Sequence, residues 1–412
     1  MISNQPPHPK SKKDLKIGIL GSGLMGHGIA YVSALSGMEV VMTDISQSQL
    51  DSGLGRIKEI FIDSLNKGFI TEKRMHKALS NINATADYSE LTGCNLIIEA
   101  VYENRELKME VIANTEKYLS PDGIFASNTS TILITRLAEK SIQPEKFVGI
   151  HFFSPVHKMK LVEIIKGKKT NLETIDKAVE FVTQISKVPI IVNDSSGFYT
   201  TRVFERYTGE GMALLAEGNS AEHIELAAEK AGFPVGPLAV IDEINIELVK
   251  HIRGEMSYEQ KAGGKELPLG PWDQVINLMI NKANRTGRSG NGGFYEYPKN
   301  GKKFLWPDLK KYFPLSKNQL STKEMIDRFY FSQAIESIRC YEENVITSAK
   351  DANVGSVLGW GFPSKKGGTL QFVNDYGLIN FRNRSQELAD KYGERFNPPK
   401  LLEKMVEKGE IF

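Results

Sequence analysis

Seven short apolar runs recur between Leu15 and about Val192: LKIGIL, EVVMTD, NLIIEAV, GIFASN, FVGIHFF, LVEII and VPIIVN. Amphipathic segments separate them. Continuous Val/Ile/Leu runs of this kind are strands buried on both faces, so the pattern predicts a mostly parallel sheet covered by helices on each side. After Asp194 the runs stop. RVFERYTGEGMALLAEG, SAEHIELAAEKAG, PWDQVINLMINKANR and KEMIDRFYFSQAIESIRCYEENV all read as helices, and the shift near residues 193–197 marks a domain boundary.

The helical part repeats itself. Arg202-Val203-Phe204 opens a long helix leading to Gly232-Phe233-Pro234, and Arg328-Phe329 opens another leading to Gly361-Phe362-Pro363. The glycine-rich stretch GRSGNGGFYEYPKNGKK lies between them as a link. Two similar helical units can pack as a pseudo-dimer and bury the faces that one copy would expose. The expected organisation is a polar, proline-rich arm over 1–14, an α/β domain over 15–194, and helical domains over 195–300 and 301–412.

Composition excludes several functions. A formal charge of +2 over 412 residues gives no field that would attract nucleic acid or an anionic membrane. Two distant cysteines, Cys94 and Cys340, make neither a disulfide framework nor a metal site. They suit a reducing compartment, and the first residues lack the apolar stretch of a secretory signal, so a cytoplasmic protein is expected. No apolar run approaches the roughly 18 residues that an integral membrane helix needs.

KIGILGSGLMGHGIAYVSALSG places Gly21, Gly23 and Gly26 in a G-x-G-x-x-G pattern, with Leu24 and Met25 inside it. The spacing alone is weak; its place between an apolar strand and a helix makes it a dinucleotide fingerprint. Gly21 permits the tight turn, Gly23 lets the backbone approach a pyrophosphate, and Gly26 lets the helix pack closely. Asp44 ends the second run about 20 residues on, where a carboxylate accepts from ribose hydroxyls. No arginine follows it to hold a 2′-phosphate, which favours NAD over NADP. The first domain is therefore expected to be Rossmann-type and the rest all-α, with two tandem helical repeats.

GIHFFSPVHKMKLVEII carries one histidine and one glutamate in consecutive apolar runs. His151 and Glu163 are symmetric about His157, so an antiparallel turn centred there would set them opposite each other on one face. A carboxylate bonded to one imidazole nitrogen leaves the other as a base and stabilises the imidazolium. Beside a nicotinamide, that is what removal of a hydroxyl proton during hydride transfer requires.

GSGLMGHGIA, LIIEAVYENRELK, ASNTSTI, GIHFFSPVHKMKLVEII, NDSSGFYTTR and GFPVGPL together resemble the 3-hydroxyacyl-CoA dehydrogenases over both domains. The resemblance is strongest to the dehydrogenase half of the multifunctional fatty-acid-oxidation α-subunits, with the hydratase half absent. It implies NAD-dependent oxidation of (S)-3-hydroxyacyl-CoA in fatty acid β-oxidation, with His151 as base, Glu163 as its partner and Ser130 touching substrate and cofactor. Met25, Asp44, Val101, Tyr102, Glu103 and Lys108 become NAD contacts. The family's HFFNP reads HFFSP, so Ser154 replaces a cofactor-contacting asparagine. Its D-x-P-G-F-x-x-N-R reads DSSGFYTTR, so Ser196 replaces the proline and Thr201 a substrate-contacting asparagine. The implied partners are an acyl-CoA substrate and, beyond it, a hydratase or thiolase; a monomer is expected. Two other readings stay open: an NAD- or acyl-CoA-binding scaffold subunit, and a dehydrogenase of free β-hydroxy acids.

Overall fold

The computed structural model describes residues 15–262 and 269–412; the expected arm over 1–14 lies outside them. Two compact units form. The first runs up to Thr129 and resumes over Leu133–Asp194; the second is Ser130–Ile132 with Ser195–Phe412.

In the first unit, β1 (Lys16–Leu20), α1 (Gly26–Leu35), β2 (Glu39–Thr43), α2 (Gln47–Asn66), α3 (Glu72–Ser80), β3 (Ile82–Thr85), β4 (Cys94–Glu99), α4 (Arg105–Thr115), β5 (Leu119–Ser127), α5 (Ile134–Leu137), β6 (Phe147–Phe152), β7 (Leu161–Lys166), α6 (Leu172–Gln184) and β8 (Val188–Asn193) follow in order. They make one eight-stranded sheet in the order β3-β2-β1-β4-β5-β6-β7-β8. The strand order reverses between β1 and β4, which places a ligand crevice beyond the carboxyl end of β1. Strands β3 to β6 with β1 and β2 are parallel; β7 pairs antiparallel with β6, and β8 parallel with β7. Helix starts follow their caps: Ser46, Thr71, Asn104 and Asn171 each accept a backbone N–H through the side chain. The apolar runs predict seven of these strands. They miss β3, INAT, an edge strand with no fully buried residue and hence no continuous apolar run.

Alternation across the sheet decides which side chains meet. Val148, Ile150, Phe152, Val162 and Ile164 join the core cluster that contains Ile29 and Ala30 of α1. His151 and Glu163, one residue out of step, therefore point to the opposite face.

The second unit holds α7 (Thr200–Ala216), α8 (Ala221–Ala231), α9 (Pro237–Ile244), α10 (Ile246–Ala262), α11 (Pro271–Asn281), α12 (Leu309–Tyr312), α13 (Thr322–Glu342), α14 (Ala349–Trp360), α15 (Thr369–Tyr376), α16 (Leu378–Tyr392) and α17 (Lys400–Lys408). The glycine-rich link also forms a two-residue antiparallel pair, Tyr295–Glu296 with Phe304–Leu305, too short to leave an apolar run in the sequence. The repeat is reciprocal in space. Gly232 and Gly361 cap α8 and α14 in the left-handed conformation. A Cβ on Gly232 would touch Pro363 at 3.4 Å, and one on Gly361 would meet Pro234 at 2.5 Å. Arg202, Glu210 and Glu217 recur at the same spacing as Arg328, Glu336 and Glu343. Arg202 pairs with Glu336 (2.7 Å) and Glu343 (2.6 Å), while Arg328 pairs with Glu210 and Glu217. Each long helix thus supplies the counter-ions of the other.

Candidate active site

The turn after β1 is built as the fingerprint requires. Gly21 has φ +98°, and a Cβ there would sit 2.7 Å from the Ala100 carbonyl. A Cβ on Gly26 would collide with the Gly21 carbonyl, so the third glycine lets α1 start directly against the turn. Among the described residues nothing lies within 4 Å of the Cβ position of Gly23, which leaves the room a pyrophosphate needs beside the backbone. Asp44, at the end of β2, accepts from Ser22 through both N–H (2.7 Å) and hydroxyl (2.6 Å), and from the Ile45 N–H (2.7 Å). Its carboxylate closes the turn at the end of β2. Leu24 and Tyr102 are exposed, and Met25, Val101 and Glu103 are half-buried around the same strand ends. The open space over Gly23, the adjoining helix start and the strand-end carboxylate fit NAD.

A buried polar network lies beneath. Glu99 ends β4 fully buried; it accepts from the Lys108 ammonium (2.7 Å), the Val101 N–H (2.9 Å) and the Ser127 hydroxyl (2.6 Å). Lys108 also reaches Glu103 at 3.1 Å, and Thr129 donates to Glu103 at 2.5 Å. Burial would lower the Lys108 pKa, but Glu99 and Glu103 outweigh it and raise it. Lys108 is thus a buried cation that orients Glu103. Ser127, the last residue of β5, and Thr129 just beyond it reach Glu99 and Glu103 from a separate stretch of chain, so no local pattern in the sequence pairs them.

On β6 and β7 the register pairs His151 with Glu163 directly. Their side chains meet at 3.0 Å between Nδ1 and Oε2, with His151 5% exposed and Glu163 fully buried. An imidazole that donates from Nδ1 to the carboxylate carries its lone pair on Nε2. The ring is braced by Phe153, 4.6 Å away between centroids, and the strand by Asn128, whose Oδ1 accepts from the Phe152 N–H at 2.8 Å. Ser154 follows in the exposed turn after β6. Ser130 and Thr201 belong to the second unit. Thr201 is the second residue of α7, and its hydroxyl points at the Ser130 carbonyl from 3.5 Å.

Residues 16–195 match the family model for the 3-hydroxyacyl-CoA dehydrogenase NAD binding domain, and residues 197–297 match the model for its C-terminal domain. The (S)-3-hydroxybutyryl-CoA dehydrogenase PaaH1 of Ralstonia eutropha is 33% identical over 69% of this chain and 99% of its own, with a TM-score of 0.64. The chain belongs to the 3-hydroxyacyl-CoA dehydrogenase family. Two longer structures share the fold of nearly the whole chain. The 3-hydroxybutyryl-CoA dehydrogenase of Escherichia coli K12 is 23% identical over 96% of this chain and 99% of its own, with a TM-score of 0.79. The dehydrogenase part of C. elegans multifunctional enzyme 1 is 24% identical over 97% and 93%, with a TM-score of 0.68.

This dehydrogenase therefore binds NAD, and Asp44 carries a test of how. Asp44→Ser removes the acceptor of two Ser22 bonds together with the carboxylate expected to accept from the ribose. The expected loss in kcat/KM for NAD is about tenfold to a hundredfold, the size of one or two charge-assisted hydrogen bonds, with a narrower gap to NADP. Steady-state kinetics with both nucleotides check this. A wild type that prefers NADP, or a variant unchanged with NAD, would contradict the reading.

Proposed function

We propose that this dehydrogenase oxidises (S)-3-hydroxyacyl-CoA to 3-oxoacyl-CoA in fatty acid β-oxidation, with His151 as the general base. The buried His151–Glu163 pair, set by strand register, is the observation that supports it. Nε2 of His151 takes the hydroxyl proton as C3 gives up its hydride. The Gly21–Gly26 turn, Asp44 and Glu103 would hold NAD, which would supply the hydride acceptor. Glu163 keeps the proton on Nδ1 and stabilises the imidazolium that forms. Ser130 and Thr201 are the proposed substrate contacts and Ser154 the cofactor contact in the β6–β7 turn. The reading also makes the chain a monomer, since α7 and α13 already cover each other.

NADH absorbance with acetoacetyl-CoA and with free acetoacetate tests the substrate class. Oxidation of NADH with the thioester and not with the acid is the expected result. Activity on the free acid alone would point to a β-hydroxy-acid dehydrogenase, and tight NADH binding without turnover to a scaffold subunit.

Thr201 tunes the rate in this reading. Its hydroxyl is shorter than an asparagine amide, so a donor aimed at the substrate oxygen reaches less far. Thr201→Asn is expected to raise kcat by up to about a hundredfold, the scale of one restored oxyanion donor. An unchanged or lower kcat would mark Thr201 as adapted to its place.

A further inference from the structure

Lys187 lies in the loop between α6 and β8 and is 8% exposed. Lys108, the other deeply buried lysine among the described residues, sits between two carboxylates. The Lys187 ammonium donates instead to two main-chain carbonyls, Val156 at 2.6 Å and Met159 at 2.5 Å. Among the described residues no carboxylate pairs with it. An ammonium taken out of water without a counter-ion is costly, so its two short bonds must hold something that needs holding.

Both carbonyls belong to the turn joining β6 to β7, the segment between His151 and Glu163. That turn is tightened from within, since the N–H groups of Lys158 and Met159 both donate to the Pro155 carbonyl. Its outer end is tied to β8, where the Val188 N–H donates to the Lys160 carbonyl at 2.8 Å. Its inner side chain, Val156, is buried against α1: a Cβ on Gly28 would stand 2.8 Å from the Val156 Cβ. The next residue back, His27, donates from Nδ1 to the Gly23 carbonyl at 2.6 Å, inside the nucleotide turn. A continuous path of contacts thus runs from Lys187 through Val156 and α1 to Gly23, with Ser154 carried on the same turn.

We propose that Lys187 is a positioning residue for NAD, clamping the β6–β7 turn onto α1 so that the nucleotide turn and Ser154 keep the geometry the cofactor needs. The inference rests on the reading of α1 and Ser154 as cofactor-binding. Burial lowers the ammonium to about 8, so it still carries its proton at neutral pH and donates as a cation.

Lys187→Met keeps the aliphatic stem and removes the donor. NADH titration followed by nicotinamide fluorescence should show Kd raised about tenfold, which corresponds to about 1.4 kcal/mol. KM for acetoacetyl-CoA should stay within about twofold. Lys187→Gln, with an amide that can still donate, should fall between wild type and Met. A merely structural role lowers the fraction of folded enzyme, which cuts apparent kcat and leaves Kd and both KM values alone; that outcome overturns the proposal. So does an equal rise in Kd for NADH and KM for acetoacetyl-CoA. If the Met variant does not fold, Val156→Ala probes the same path, with a raised NADH Kd expected and an unchanged one overturning the clamp. Because NADH binding needs no acyl-CoA, a wild type that binds NADH but fails to turn over acetoacetyl-CoA would refute the proposed function and leave this test standing.

Discussion

His151→Gln is expected to lower kcat by about 10²- to 10⁴-fold while the NADH dissociation constant stays within about twofold of wild type. In barrier terms the loss is about 3–5 kcal/mol. A glutamine amide can still donate to Glu163 and fill much of the imidazole's space, so β6 should keep its register with β7. What it lacks is a nitrogen lone pair that can take a proton near neutral pH. The contrast between an intact cofactor site and a lost rate is therefore the informative part. Stopped-flow NADH oxidation and a fluorescence titration on the same preparation measure both. A variant that keeps more than half the wild-type rate would remove His151 from the chemistry.

The largest expected effect on stability lies in the second unit. Glu336, 2% exposed, sits among Arg202, Arg206 and Arg339 at 2.7, 3.1 and 3.4 Å. Burial alone would push its carboxyl up; the Arg206, Arg202 and Arg339 guanidiniums outweigh that and hold it well below the usual range. Glu336→Ala leaves three cations facing one another with their shared anion gone. Removing one partner of a buried ion pair typically costs about 3–5 kcal/mol, because the remaining charge stays desolvated. A urea denaturation series should show a loss of that order, with NADH binding measured separately below the transition. The same depressed carboxyl makes an acid-side prediction. Its contribution is complete above the unfolded pKa of about 4.3 and is lost as pH falls through the lower folded value. The gap between wild type and Glu336→Ala should therefore narrow on acidification. A loss under about 1 kcal/mol at neutral pH would mean that the guanidiniums find water once the glutamate is removed.

The reciprocal pairs show why the repeat is only half visible in the sequence. The Gly-Phe-Pro triplets can be read off because glycine at a left-handed cap has a conformational reason to recur. The arginine and glutamate spacing is equally present in the chain. It acquires meaning only when α7 and α13 lie together and each helix's cation finds the other's carboxylates. Likewise the strand INAT escapes notice, since an edge position asks for no apolar run.

What the sequence by itself determined are the features with a short-range physical cause. Apolar runs must be buried, so seven strands and the long helices follow from them. The glycine fingerprint follows from the backbone geometry of one turn. The His151–Glu163 pair follows from a hairpin whose symmetry about His157 is set by residue spacing alone, because side chains alternate with a period of two. Only the tertiary structure decided the partners of the buried charges. Glu99 meets Ser127, Lys187 clamps the β6–β7 turn, and Arg328 finds Glu210, each across a long stretch of chain. A buried charge must be satisfied by whichever group the fold brings within hydrogen-bond reach, and no local pattern records which group that is.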